Sequence, residues 1–457
     1  MVYIRNVVEP VLFLYMFSDC LNIITLQSLV YERTCLKTLD PDLCPLLNNG
    51  SFQHEEVAIQ VQTSKWVLHF NMALLIPSII AALFLGPFGD AFSRKIVLIL
   101  PIIGNITAIF VFLIISAFDN IPVIYLLIGV VLNGCCGGHI VMMMALYSYI
   151  VHITDLKYRT IRLGILESMV FLSTTIGMLV AGMMLKSVGH TAMYGIISIF
   201  NILNLFYTVF VVEELIETDK STRKILRSIF LIENIKSLCK FMTQKRKSNT
   251  RTVLLFGILI LSVLILMTKG EFSIIQLFLR HSPISASVTQ IGYFFSLQNF
   301  VYGFTLIIIL PLLKKCFSVN DFALSLVGFA AQGIGSIMFG LAQNITTAFI
   351  VPVVKMPLGF TYATIRSVTS TFVNIDEEAK LFTFMAYLEN LMALLASVCF
   401  NGLYSLTFDI HQGFVFFVST AICSLCTLFT VVMWFQIKQA NGYKNLDEHQ
   451  ELQRSGK

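Results

Sequence analysis

Twelve long apolar stretches run through this chain, and no other feature narrows its fold so far. They cover roughly 8–31, 66–89, 96–117, 121–150, 161–185, 191–212, 252–279, 287–312, 322–342, 346–371, 381–404 and 413–436, each near the ~20 mainly apolar residues a helix needs to cross a bilayer. In hydrocarbon every backbone N–H and C=O must find its partner inside the protein, and a lone segment of this length does so as a helix. Composition agrees: 56% of the 457 residues are hydrophobic and 12% charged, against roughly 25% charged in soluble proteins. Arg5 precedes a first apolar run too long for the h-region of a cleavable signal peptide, so that run is expected to be the first membrane helix. The expected fold class is all-α membrane, with the lipid bilayer as the principal surrounding partner.

Basic residues set the expected orientation. Arg94 and Lys95, then Lys157, Arg159 and Arg162, then Lys314 and Lys315, then Lys380 fall in the loops after even-numbered spans, while the opposite short loops hold only Lys186 and Arg280. The positive-inside rule then places both termini in the cytoplasm. The long loop 213–251 opens acidic and turns basic around Lys245-Arg-Lys247, and it divides the spans six and six. The expected organisation is an N-terminal half at 1–212, a cytoplasmic loop at 213–251, a C-terminal half at 252–436 and a cytoplasmic tail at 437–457. The net charge of +5 is small and confined to these loops, so nucleic acid is not an expected partner. Loop 32–65 is then external. It offers Asn49-Gly-Ser51 as a glycosylation acceptor and holds Cys35 and Cys44, for which a disulfide is plausible from compartment but not fixed by spacing. Asn344-Ile-Thr346 lies too near the membrane for glycosylation, and Asn105-Ile-Thr107 falls inside a span. Cys423-x-x-Cys426 is apolar in context and reads as packing.

A repeat links the halves. Asp155, four residues before Arg159, leads to Leu166-Glu167, and Asp376, four residues before Lys380, leads to Leu388-Glu389. The offset is 221 residues at the Asp and 222 at the Glu, placing each Glu in the fifth span of its half. Internal repeats of this kind are common in secondary transporters, with the site between the halves near the midplane. Carboxylates inside an apolar span are expensive and by default functional; pairing locally or reaching the interface is the alternative for Glu167. Asp19 lies mid-span in the first helix, and Lys355 sits in Pro352-Val-Val-Lys355-Met-Pro357-Leu-Gly359, a pattern for a kinked helix lining a polar path. Arg366 follows 11 residues on, roughly 16 Å along the axis. Lys355 could bind an anionic group or pair structurally with Glu389 or Asp19, and Arg366 could snorkel to the interface. Lys269-Gly-Glu271 reads as a break in the seventh span or as its end.

Gly86-Pro-Phe-Gly-Asp90-Ala-Phe-Ser-Arg94-Lys95 resembles the loop signature of the major facilitator superfamily, with Ser93 in place of the second Gly. The resemblance implies two pseudo-symmetric six-helix bundles and a gate worked by Gly86, Asp90 and Arg94, with Asp155 as candidate partner of Arg94. Glu9-Pro10, Arg162-x-x-x-Leu166-Glu167, Ile291-Gly292-Tyr293, Glu377-Glu378-Ala-Lys380-Leu381-Phe382 and Asn401-Gly402-Leu403-Tyr404 are similar to motifs of the proton-coupled folate transporter family, solute carrier family 46. That resemblance implies proton-coupled symport of a small organic anion by alternating access. It assigns proton coupling to Glu167 and substrate binding and coupling to Arg366. It departs at Leu127, Cys135 and Thr268-Lys269, where the folate transporter has an Arg, an Asp and, nearby, a coupling His. Glu389 is the expected counter-charge and second coupling group; Lys355, Asp19 and Tyr293 are the further substrate-binding candidates.

The wider family also suggests an exporter of peptidoglycan fragments or cyclic dinucleotides, and a sensor that kept the fold without turnover is the third reading. The expected membrane is the plasma membrane or that of endosomes and lysosomes. No phosphate loop, zinc motif or activated Ser or Cys stands out, so an enzyme is not expected, and no cofactor or metal is required.

Overall fold

The computed structural model describes residues 7–38, 44, 53–118, 120–215, 240, 250–280, 284, 286, 288–373, 377–407 and 411–455. Among them are twelve helical stretches long and apolar enough to cross a membrane. They are α1 Glu9–Thr38, α2 Lys65–Gly89, α3 Arg94–Ala117, α4 Val123–Ile153, α5 Tyr158–Leu185, α6 Ser187–Phe210, α7 Arg251–Leu279, α8 Gln290–Cys316, α9 Asp321–Gly340, α10 Ile345–Ser370, α11 Lys380–Tyr404 and α12 Phe414–Ile437. Each coincides with one expected span. Side chains mark several of the starts: Ser93, Asn320 and Asn344 each accept a hydrogen bond from a first-turn backbone N–H, as a cap must. Asn344, set aside as a glycosylation acceptor, is thus the cap of α10.

The described residues fall into two compact units, Met1–Tyr149 with Leu172–Ser237, and Ile150–Phe171 with Leu238–Lys457. The second unit takes in the first part of α5 together with the C-terminal helices. In the first unit Phe112, Tyr194, Leu21 and Ile109 form a buried core. Asn105 donates to Asn201 at 3.0 Å between α3 and α6, and Asn204 donates to the Val11 carbonyl at 3.1 Å between α6 and α1. Such bonds between membrane helices contribute about 0.6 kcal/mol each, so they fix register more than they stabilise. α4 breaks at Gly137 and Gly138, whose φ values of 95° and 46° favour glycine.

In the second unit Phe278, Phe294, Phe339 and Phe416 pack edge to face or tilted, with centroids 4.8 Å apart for Phe339 and Phe416. α8 contains a π-helical turn, Thr305–Ile309. It brings Leu310 so close to α5 that a Cβ on Gly164 would lie 2.3 Å from Leu310 Cδ2. α10 is discontinuous: its first helix ends at Val354, and a second, Leu358–Ser370, begins after Pro357. Pro357 supplies no N–H to the ladder, and the residue before a proline avoids helical φ/ψ. α7, by contrast, runs without interruption inside the helix Thr250–Arg280, so Lys269-Gly-Glu271 is neither a break nor an end. Gly270 lets α7 press on α11, because a Cβ there would lie 2.3 Å from Phe400 Cδ2. Apolar side chains such as Phe210, Val398 and Leu406 are 76%, 74% and 80% exposed, the surface a bilayer covers and water would not.

Candidate functional site

The second helix of α10 carries Arg366 inward, 4% exposed. Its Nη1 forms an ion pair with Glu167 Oε1 from α5, and its Nη2 donates to Glu389 Oε1 from α11 at 2.5 Å. The two carboxylates related by the sequence repeat therefore share one guanidinium, one on each terminal nitrogen. A lone buried charge would lose several kcal/mol of hydration, and the planar fork of arginine suits two acceptors at once. Arg366 is thus held in an ion-pair network, in place of the snorkelling alternative. The side chain of Glu389 is 23% exposed, against 9% for Glu167, so Glu389 is the more accessible of the two to a proton.

α7 lies alongside this network. Thr268 Oγ1 and Tyr362 Oη are 2.6 Å apart, and Tyr362 stands one turn before Arg366, on the same face of α10. Next in sequence is Lys269, exposed and without a hydrogen-bond or ion-pair partner among the described residues. Glu389 lies within electrostatic reach of it.

Lys355 terminates the first helix of α10 and is 3% exposed. Its Nζ meets Glu271 Oε2 of α7 at 2.7 Å, so its partner is neither Glu389 nor Asp19. Ser336 Oγ donates to Glu271 Oε1 at 2.6 Å and Gln332 Nε2 donates to Oε2 at 2.9 Å, both from α9. Gly335 makes room for the lysine stem: a Cβ there would lie 2.3 Å from Lys355 Cγ. Glu271 is the partner that reading the sequence missed. Its i+4-spaced partners Gln332 and Ser336, small or amide residues in an apolar helix, were the available signal.

A third cluster gathers the start of α5, the end of α10 and the start of the helix Glu378–Thr407 that carries α11. Arg159 donates to Ser370 Oγ and to the Val151 carbonyl, each at 3.1 Å, and lies 3.6 Å from Glu378. His152 Nδ1 is 3.9 Å from Glu378, and Thr160 Oγ1 donates to Ser367 Oγ at 2.7 Å. Arg159 and Glu378 come from the two copies of the repeat. Asp376 lies outside the described residues.

The remaining candidates are dispersed. Asp19 is half-buried in α1, and Tyr293 is 60% exposed at the start of α8; neither has a side-chain partner among the described residues. Gly86 is buried in α2, and the side chain of Asp90 lies outside the described residues. Arg94 donates to the Ser148 carbonyl at 2.8 Å, and its backbone N–H donates to Glu214 at 3.2 Å, while Ser93 Oγ also bonds Glu214. Asp155 is exposed, with no side-chain partner among the described residues. Glu214 thus receives the bonds of the α3 start. Cys35 and Cys44 are joined by a disulfide. Asn49 lies outside the described residues.

Twelve membrane-length helices with charges buried among them make the chain a polytopic membrane protein, and the similarities that follow make it a transporter and not an enzyme. The sequence profile of the Major Facilitator Superfamily matches residues 46–397, and the chain belongs to that superfamily. It is similar to the lysosomal proton-coupled steroid conjugate and bile acid symporter SLC46A3 of Gallus gallus, 23% identical over 447 residues, which covers 95% of each chain. The Homo sapiens protein of that name is 26% identical over 438 residues, covering 92% of each chain. The proton-coupled folate transporter of Rattus norvegicus is 23% identical over 429 residues, 92% of this chain and 90% of that one. Among solved structures, the human organic anion transporter MFSD10 aligns with a TM-score of 0.70 at 14% identity, covering 93% of this chain and 98% of that one. The fucose:proton symporter FucP of E. coli aligns with a TM-score of 0.65 at 10% identity, covering 93% and 97%. These last two likenesses speak to the fold alone.

Proposed function

We propose that the protein is a proton-coupled symporter of a small organic anion, working by alternating access between two six-helix halves with both termini in the cytoplasm. The observation that carries this reading is the clamping of Arg366 between Glu167 and Glu389. Two carboxylates share one guanidinium, so neither has that cation to itself. A proton on either carboxylate ends the sharing and leaves the guanidinium to the other, so the empty site can take up a proton. Once one carboxylate is neutral, its hold on the guanidinium weakens and the neighbourhood becomes receptive to an anion. A solute anion and a proton therefore favour each other's binding, which is what symport requires. Similarity to relatives named as proton-coupled carriers of folate and of steroid conjugates and bile acids supports the same solute class. The relatives named lysosomal favour an endosomal or lysosomal membrane.

The test is uptake into proteoliposomes with an imposed proton gradient, using folate, taurocholate and estrone sulfate as solutes. Glu167→Gln is expected to abolish accumulation against a gradient while leaving solute exchange. Accumulation by the wild type that is indifferent to the proton gradient overturns the coupling, and undiminished accumulation by Glu167→Gln removes that residue from it.

A further inference from the structure

We infer that Lys269 of α7 is the residue that receives the negatively charged group of the transported solute, and that the group is a monoanion. This rests on the transport reading above. Lys269 lies 18 residues into the 29-residue span Arg251–Leu279, far from either end. An ammonium at such depth is tolerated only where it is paired or faces a polar path. Lys269 is exposed and has no hydrogen-bond or ion-pair partner among the described residues. The two cations of α10 are both satisfied, Lys355 by Glu271 and Arg366 by Glu167 and Glu389.

The direction of Lys269 follows from its neighbours on α7. Thr268 bonds Tyr362 of α10, Phe272 packs at a tilt against Phe295 of α8 with ring centroids 5.0 Å apart, and Ser273 accepts from Asn401 of α11 at 3.2 Å. At 3.6 residues per turn, position 269 leaves the helix between these three contacts. The ammonium is thus directed toward the region that α8, α10 and α11 border, where Glu389 stands within its electrostatic reach. The Thr268 and Tyr362 hydroxyls beside it offer further hydrogen-bonding capacity to an anion's oxygens.

Formal charge selects the ligand class. Glu167 and Glu389 are matched one for one by Arg366 and Lys269, so the set is neutral when empty. One proton raises it by a single unit, and one monoanion restores neutrality. Lys355 is excluded from this role because Glu271 already holds it in an enclosed pair.

The test compares binding of radiolabelled estrone sulfate, a monoanion, with that of uncharged estrone to purified wild-type protein, Lys269→Gln and Lys269→Arg. One lost charge-assisted hydrogen bond corresponds to at least about tenfold weaker binding. Lys269→Gln is therefore expected to bind estrone sulfate at least about tenfold more weakly and estrone equally well, and Lys269→Arg to recover the preference for the sulfate. Because the Lys269 side chain has no hydrogen bond or ion pair among the described residues to lose, both variants should fold, which their thermal unfolding checks. Equal binding of the sulfate by wild type and Lys269→Gln overturns the assignment, as does a wild type with no preference for the sulfate. Charge-selective binding that depends on Lys269, without uptake by the wild type in proteoliposomes, leaves the assignment standing and refutes transport instead.

Discussion

Removing one partner of the Glu271–Lys355 pair should damage the protein far more than removing both. Lys355 Nζ lies 2.7 Å from Glu271, and the two side chains are 4% and 5% exposed. Glu271→Gln strands a buried ammonium. Lys355→Met strands a carboxylate, but Ser336 and Gln332 still donate to it at 2.6 Å and 2.9 Å. Breaking such a pair costs about 3–5 kcal/mol, whereas replacing both charges with neutral groups of similar volume is often neutral or stabilising. Hydrogen bonds to a charged group contribute about 1.5–3 kcal/mol each, so Lys355→Met should be the milder single change. The Glu271→Gln, Lys355→Met double variant should recover at least about 2 kcal/mol relative to the sum of the singles, within the range of coupling between contacting residues. The half-life of the purified protein at fixed elevated temperature reads this out, since unfolding of a large membrane protein is governed by rate. Single variants as long-lived as the wild type, or a double variant as short-lived as the sum predicts, would refute the reasoning. Uptake by the double variant is an independent measurement. It should persist, and its loss in a stable double variant would return Lys355 to direct contact with the solute.

Gly335→Ala would set a methyl group 2.3 Å from Lys355 Cγ and 2.9 Å from its Cε. The expected effect is a destabilisation of about 1–3 kcal/mol, as for other overpacked sites, read by the same heat inactivation and relieved when Lys355 is also shortened to Ala with Glu271→Gln. Thr160→Cys with Ser367→Cys should cross-link under mild oxidation, because the two hydroxyl oxygens are 2.7 Å apart. Uptake should fall on cross-linking and return on reduction if α5 and α10 part during the cycle; full uptake by the cross-linked protein contradicts that movement.

Hydropathy made the spans legible because crossing a bilayer is a local property, decided by some twenty consecutive residues at a time. The break in α10 was legible for the same reason, since Pro352, Pro357 and Gly359 act on their own backbone. Partnerships between charges were not. Glu167 and Glu389 stood out as a repeated pair, yet nothing in their spacing says that Arg366 lies between them. Lys269-Gly-Glu271 suggested an interruption because two charges flank a glycine. α7 continues because Glu271 turns to Lys355, Gln332 and Ser336, while Gly270 is required by the close approach of Phe400. Helical context carried both charges, and only tertiary partners tell the satisfied one from the free one. Arg159 shows the same limit: its basic loop set the orientation, but its partner Glu378 arrives from the other copy of the repeat.

Both cations of α10 were expected at the substrate, and the structure gives them different partners. Glu271 is enclosed with Lys355, with three donors on its two oxygens, so water and protons have little route to it. Glu389 has one donor among the described residues, Arg366, and a side chain 23% exposed. A carboxylate must be reachable to exchange its proton in each cycle, and by that criterion Glu389 qualifies and Glu271 does not. Glu389→Gln should therefore abolish the acid stimulation of uptake, while the Glu271→Gln, Lys355→Met double variant should keep it. Uptake by Glu389→Gln that still rises as the outer solution is acidified would move coupling away from the Arg366 clamp. Loss of acid stimulation in the Glu271, Lys355 double variant would show that the enclosed pair, despite its burial, takes part in moving the proton.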